Sequence, residues 1–547
     1  MSTRIILCLL LALAGRTDAA GNPGRELTGH ELKSWHFLDP ELDSVPGAAL
    51  FRAYQYLSGK KSVPVVVAVI DSGFDLDQED LREVLWINPG EVAGNAQDDD
   101  GNGYADDVHG WNFIGGKNGN VNYDNLEITR EYVRLRDTFE PIPNTKHREY
   151  LYWLEISSEF TAERDHYLSL RKRYENYVRL LENSVDRLGN YLTGDSLSSM
   201  RINTIESDDE EVTELRNSLG KLLKGYESIF KGGSSEEVPA YPVSEVTAWL
   251  DRTEGMIGMY TDYLLNPDYD PRHIVGDDYS NPGERYYGNS NVGDYSGRQG
   301  YHGTHVAGII GAKRDNGLGM DGVADDVRLM LLRTVPSGDE RDKDVANSIR
   351  YAVDNGARVV NMSFGKFYSP QSKVVYKAIR YAEKKGVLLV HGAGNESTLT
   401  DIRPTYPNPW YKRSREATNW LEVGASSQHY NQDLPADFTN YGTRSVHLFA
   451  PGVDIYSTMP GNTYRNASGT SMASPVVTGV AALLMSYYPS LSAGEVRDII
   501  LKSVYRLSGK MVLSPETGEL VDFGSLSRTG GIVNAYRAVK LAEDYGK

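Results

Sequence analysis

VVVAVIDSG, residues 65–73, decides how this chain is read. Its first six residues are small or β-branched and apolar without alternation, the pattern of a strand covered on both faces as in a parallel sheet. Similar runs recur at 327–332, 357–362 and 386–390, with helical stretches at 344–355 and 372–385 between them. That alternation predicts an α/β fold, a doubly wound, mostly parallel sheet flanked by helices. In such a sheet Asp71 falls at the carboxyl edge, where open α/β folds bind their ligands. Taken alone, an aspartate ending a strand is more often structural.

Two further stretches change that balance. HGTHVAGIIGA begins at His302, and its apolar spacing reads as a buried helix whose first turn presents the imidazole. His305 shares that turn, but the His-x-x-His pair lacks the intervening glutamate and four-residue step of a zinc-protease helix. GTSMASP, residues 469–475, places Ser471 where an apolar helix over 472–487 begins. There its hydroxyl and N–H lie at the positive end of the helix dipole, although a lone serine in that place is usually an N-cap. Asn395 follows the run at 387–390 through His391-Gly392-Ala393-Gly394, a turn that holds its amide at another sheet end. An acid, a base and a hydroxyl so placed are the parts of a nucleophilic serine site.

Residues 125–265 follow a different period. Tyr167, Leu170, Tyr174, Tyr177 and Leu181 step by three and four, as do Val212, Leu215, Leu219, Leu222, Tyr226 and Ile229, and then Val246, Trp249, Thr253, Met256, Tyr260 and Tyr263. Three amphipathic helices with charged outer faces predict an inserted all-α bundle or hairpin, bounded at 123–272 and separated internally by a polar stretch and by Gly232-Gly233-Ser234-Ser235. A recognition arm or lid is the alternative use of the same helices.

The remaining features concern setting and ligands. A formal charge of -18 over 547 residues excludes nucleic acid or an anionic membrane surface as the main partner. Arg4, the apolar run 5–14 and small residues up to Ala20 form a secretory signal, residues 1–20, which predicts export to a periplasmic, extracellular or cell-surface location. The single cysteine, Cys8, lies within it, so no disulfide is expected. The longest later apolar run, 476–485, is too short to span a bilayer. Asp98, Asp100, Asn102 and Asp106, with Gly103 at the sharp turn, match the first part of a calcium loop, whereas His109 stands where the closing glutamate belongs. Structural calcium is the expectation, against an acidic loop of Asx turns.

The motifs around Asp71, His302, Asn395 and Ser471, in that order, resemble those of the subtilisin-like serine peptidases, or subtilases, over 45–122 and 273–547. The resemblance implies a first catalytic segment over 21–122, a second over 273–547, and peptide-bond hydrolysis with no catalytic cofactor. It implies Ser471 as nucleophile, His302 as base, Asp71 as its carboxylate partner and Asn395 as oxyanion donor. It further implies that Ser363, Phe364 and Gly365, with Gly392 and Gly394, bind a protein or peptide substrate in extended form. The chain departs from the pattern in the roughly 230 residues between Asp71 and His302, where the inserted helices are expected to restrict which substrates enter. His391 also departs, standing where a small apolar residue is usual, and is expected to be a satisfied strand histidine. The alternative function is a subtilase scaffold whose insert recognises a partner while catalysis is minor.

Overall fold

The computed structural model describes residues 27–140, 147–188, 196–230, 241–293, 300–411 and 415–545. The signal over 1–20, its Cys8 and the glycine-serine stretch at 232–235 lie outside the described residues. Nine strands form the main sheet: β1 (Val65–Asp71), β2 (Gly110–Asn112), β3 (Val327–Arg333), β4 (Val359–Met362), β5 (Leu388–Gly392), β6 (Trp420–Ser426), β7 (Leu448–Pro451), β8 (Tyr505–Arg506) and β9 (Gly531–Ile532). Their order is β8-β9-β7-β6-β5-β4-β1-β3-β2. Every pairing is parallel except that of β8 with β9.

The apolar runs are continuous because both sheet faces are covered. Val67 and Val69 of β1 pack into one core with the helices Gly300–Gly311 and Thr470–Tyr487. Ala68 and Ile70 point the other way, into a core shared with helices Asp342–Asp354 and Ser372–Lys385. Successive strand side chains alternate between faces, so neither face offers polar residues a place. Thr470–Tyr487 is long and apolar enough to cross a membrane, but it is a core helix, almost entirely buried against β4, β5 and β6. From β1 the chain runs to β2 and β3 on one side and then to β4, β5 and β6 on the other, so the strand order reverses beside β1. Doubly wound sheets bind ligands at such a reversal. The β6 and β7 strands carry no sufficiently apolar run to be read from sequence; Glu422 and Gly424 interrupt β6.

The inserted unit covers 128–269. Its helices are Glu127–Phe139, Tyr150–Leu188, Ser199–Asn203, Glu210–Phe230 and Val243–Met259, the last continuing as one π-turn over Tyr260–Leu264. Leu181, Leu219, Leu222, Val246 and Trp249 are buried together, as their three-and-four spacing requires. Tyr132 stacks on Trp153 and Phe160, and Tyr167 on Tyr260 at 3.9 Å between centroids. The expected three helices become five because 127–139 and 199–203 are too short or too charged to show a clear period, and the first of the three extends back to Tyr150.

Residues 123–127 and 270–272, expected to belong to the insert, instead belong to the other unit. Asp124, where the chain leaves, accepts both Nε and an Nη of Arg341 at 2.7 and 2.9 Å, and Asp270, where it returns, accepts the same guanidinium at 3.1 Å. A second clamp joins Arg272 to Asp277 and Asp344, and Lys343 to Asp277 and Glu284. One arginine therefore fixes both ends of the excursion. Asp124 and Arg341 are nearly inaccessible to solvent, so Arg341→Leu would strand a buried carboxylate. Its removal is expected to cost about 3–5 kcal/mol, read as a lower midpoint at unchanged slope in urea denaturation.

Candidate active site

Asp71 is the last residue of β1, and His302 lies in the first turn of Gly300–Gly311, a helix that crosses the same end of the sheet. Asp71 Oδ1 meets His302 Nδ1 at 2.7 Å and accepts the Ser72 backbone N–H at 2.7 Å. That closeness needs the glycine of the motif. A Cβ on Gly303 would lie 2.3 Å from the Gly73 carbonyl oxygen, so any larger residue would push the helix off the strand end. Burial opposes protonation of His302, but the charge and hydrogen bond of Asp71 outweigh it and raise the imidazole pKa above its ordinary value. His305, one turn on, is wholly buried with Nε2 3.0 Å from the Arg465 carbonyl. Burial is the main cause that pushes its pKa down to about 4. A backbone carbonyl thus takes the His305 Nε2.

Ser471 is the second residue of the helix Thr470–Tyr487, which carries a proline in its second turn. Pro475 stands four residues on and has no N–H to give to the Ser471 carbonyl. Ser363 Oγ donates to that carbonyl instead, at 3.0 Å, while sharing a 2.9 Å bond with Ser474 Oγ and receiving Asn361 Nδ2 at 2.9 Å. Ser471 Oγ in turn donates to the Ser363 carbonyl at 3.2 Å. Among the described residues it makes no hydrogen bond to His302; hydroxyl-to-base bonds are commonly loose without substrate. Two reciprocal bonds thus tie the head of this helix to the end of β4. Sequence reasoning misses this use of the Ser363 side chain, although a proline four residues after a candidate nucleophile signals a carbonyl in need of a donor.

Asn395 is held by the residue before the serine. Its Oδ1 accepts the Thr470 backbone N–H at 2.8 Å and Thr470 Oγ1 at 3.1 Å, which assigns the amide orientation and leaves Nδ2 directed away from that contact. Thr470 Oγ1 also accepts the Gly394 N–H at 3.0 Å. Gly392 permits the approach, since a Cβ there would meet the Thr470 carbonyl at 3.0 Å. Ser363, Phe364 and Gly365 continue from β4 outside any sheet ladder, and Lys366 then pairs with Tyr406. Asp71, His302, Ser363, Gly392, Gly394, Asn395 and Ser471 are all at or just beyond the carboxyl ends of β1, β4 and β5 or in the helix starts packed on them.

The acidic loop is arranged differently from the expectation. Asp98 accepts the N–H groups of Asn102 and Gly103, and Asp106 accepts those of Gly94, Asn95 and Ala96. Asn102 donates its amide to Asp100 and Asp107. These side chains cap turns, so Asp98, Asp100, Asn102 and Asp106 do not converge as one ligand set. Among the described residues the carboxylates that do converge are Glu91, Asp100 and Asp107. Glu91 and Asp107 have raised pKa values, chiefly from burial and in part from a neighbouring carboxylate. Spacing counted the oxygens of this loop without revealing which ones the backbone uses.

Residues 63–530 match a family model described as the Subtilase family. The chain is 38% identical over 239 residues to the thermophilic serine proteinase of Bacillus sp. (strain AK1), an alignment covering 44% of this chain and 52% of that protein. It is 36% identical over 240 residues to thermitase of Thermoactinomyces vulgaris, covering 44% and 75% respectively. The chain thus spans about half the length of the first relative. A chain from the solved proteases of Pseudoalteromonas arctica aligns at 27% identity with a TM-score of 0.35, covering 44% of this chain and 70% of that one.

The His302–Asp71 pair makes a measurable demand. In the intact protein the imidazole should titrate above the ordinary histidine value, whereas Asp71→Asn, which leaves burial acting alone, should bring it below. NMR titration of the His302 ring proton reads both. A titration unmoved by Asp71→Asn would mean that the carboxylate does not govern the base.

Proposed function

This chain belongs to the subtilase family, and from that premise we propose that it is an exported serine endopeptidase working through an acyl-enzyme at Ser471. The observation that carries the reading is the 2.7 Å bond from Asp71 to His302, with Ser471 in the first turn of a helix packed against the one that carries His302. With peptide bound, the Ser471 hydroxyl turns from the Ser363 carbonyl to His302 Nε2, which takes its proton as Oγ attacks the scissile carbonyl. Asp71 keeps the proton on Nδ1 and stabilises the imidazolium, remaining ionised itself. Asn395 Nδ2 and the Ser471 N–H, the latter at the positive end of the helix, receive the oxyanion. As the tetrahedral species collapses, the carbon–nitrogen bond breaks and the imidazolium returns its proton to the leaving amine. Water then attacks the ester by the same route, with His302 as base and Ser471 as leaving group. The substrate lies extended along 363–365, adding a strand beside 392–394.

Export is the finer part of this reading and rests on the signal pattern over 1–20. A structural calcium ion belongs to it as well, held by Glu91, Asp100 and Asp107, whose crowded carboxylates a divalent cation would relieve. No chemical step runs through that ion. A chelator should lower the thermal midpoint by several degrees and added calcium restore it; an unchanged melt would remove the ion from the reading.

A fluorophosphonate should label Ser471 and abolish cleavage, with labelling lost in Ser471→Ala. Asn395→Ala should lower kcat on the order of 10²- to 10³-fold with KM little changed. Because the base must be neutral to act, kcat/KM should fall as pH drops through the raised His302 pKa. The insert is proposed to filter substrates by their folding. Replacing 128–269 with a short glycine-serine link should leave small-peptide turnover intact and admit folded proteins; equal discrimination in both forms would refute the filter.

A further inference from the structure

Behind the proposed peptide-binding edge lies a buried imidazole with one nitrogen left over. His391 in β5 is fully buried, and its Nδ1 is 2.8 Å from Glu422 Oε1 in β6. The other Glu422 oxygen accepts the Trp420 indole N–H at 2.7 Å. A carboxylate that takes a donor on each oxygen is the accepting partner, which places a proton on Nδ1; in the neutral imidazole Nε2 then holds the lone pair. Nδ1 is therefore satisfied, as expected of a strand histidine, but among the described residues Nε2 is buried without a hydrogen-bond partner. Folded proteins rarely leave such an atom unmet.

The surroundings show where that lone pair is offered. The ring lies 5.4 Å from Trp420 and is edge-on to Phe364 at 6.2 Å, centroid to centroid. Its free edge faces Gly365. A methyl group on that glycine would sit 3.4 Å from the Tyr406 carbonyl oxygen, 3.7 Å from His391 Cε1 and 3.8 Å from Nε2, so this edge of the ring packs against a position that has no side chain of its own. Phe364 and Gly365 are residues of the edge along which the substrate is proposed to run.

We propose that His391, oriented by Glu422, is a specificity residue for the side chain on the acyl side of the cleaved bond, and that it selects a basic side chain. This rests on the peptidase reading above and adds the substrate class. A lone pair cannot bond a carboxylate, and an apolar side chain would leave Nε2 buried and unpaired. A side chain ending in N–H donors satisfies it. Among the described residues no lysine or arginine bonds either His391 or Glu422, so no cation of the chain itself takes that place.

The test uses the full chain and peptides identical except for that residue, which is lysine, arginine, glutamine, leucine or glutamate. The intact enzyme should cleave the lysine and arginine peptides at least about tenfold faster, in kcat/KM, than the leucine peptide, with glutamate slowest. His391→Leu should erase that preference, while the leucine peptide is still cleaved and the phosphonate still labels Ser471. Glu422→Gln, which removes the carboxylate that orients the ring, should weaken it independently should His391→Leu fail to fold. A preference for leucine or glutamate in the intact enzyme, or an unaltered profile in either variant, overturns the proposal. A chain inert to every peptide and to the phosphonate sinks the peptidase reading itself, and this inference with it.

Discussion

A 2.7 Å bond between Asp71 and His302, formed across 231 positions of chain, is the constraint on which the other features depend. Neither residue has freedom to seek the other. Asp71 is set by β1, whose side chains are buried on both sheet faces, and His302 by a helix pressed so closely on the end of that strand that position 303 has room only for glycine. The sheet is thus the device that converts two distant motifs into one hydrogen bond. The closure entropy of a long excursion grows only slowly with its length, so a helical unit can be inserted there without undoing the bond.

The excursion still has to begin and end at fixed points, and buried charge does this. Asp124 and Asp270 converge on Arg341, while Glu127, the first residue of the helix leading into the inserted unit, reaches Lys366 at 2.7 Å. Lys366 immediately follows Gly365. Its ammonium is buried and also binds Asp342 and the Glu340 carbonyl. Ion pairs of this kind add little net stability compared with an apolar replacement, but breaking one partner is costly. Their contribution is to fix where the chain leaves and returns.

A similar economy operates at the nucleophile. Pro475 removes the helical donor for the Ser471 carbonyl, and Ser363 from the end of β4 supplies another. The helix head is thereby registered to the sheet by a side chain, not only by packing. Thr470 does the same for Asn395, bonding its Oδ1 with both N–H and hydroxyl. Each reacting group is held by its neighbour in the sequence or by a strand end, which is the preorganisation that a site stabilising transient charge requires.

Much of this was legible in the chain itself. Unbroken apolar runs announced β1, β3, β4 and β5, because a strand buried on both faces has no place for polar residues; the three-and-four spacing of Leu219, Leu222, Val246 and Trp249 announced helices with one buried side. The positions of Asp71, His302, Asn395 and Ser471 at element ends could be read because local sequence sets where elements stop. Partners distant in sequence could not. The alternative of Asx turns around Asp98 could be named but not chosen, nothing near Asp124 names Arg341, and nothing beside His391 reveals that Glu422 satisfies one ring nitrogen while the other is buried near Gly365. Sequence determined which chemical groups exist and on which kind of element each sits, since these follow from covalent structure and periodic burial. Tertiary structure alone decided which of them meet, because hydrogen bonds and ion pairs act over about 3 Å and only packing brings remote segments that close.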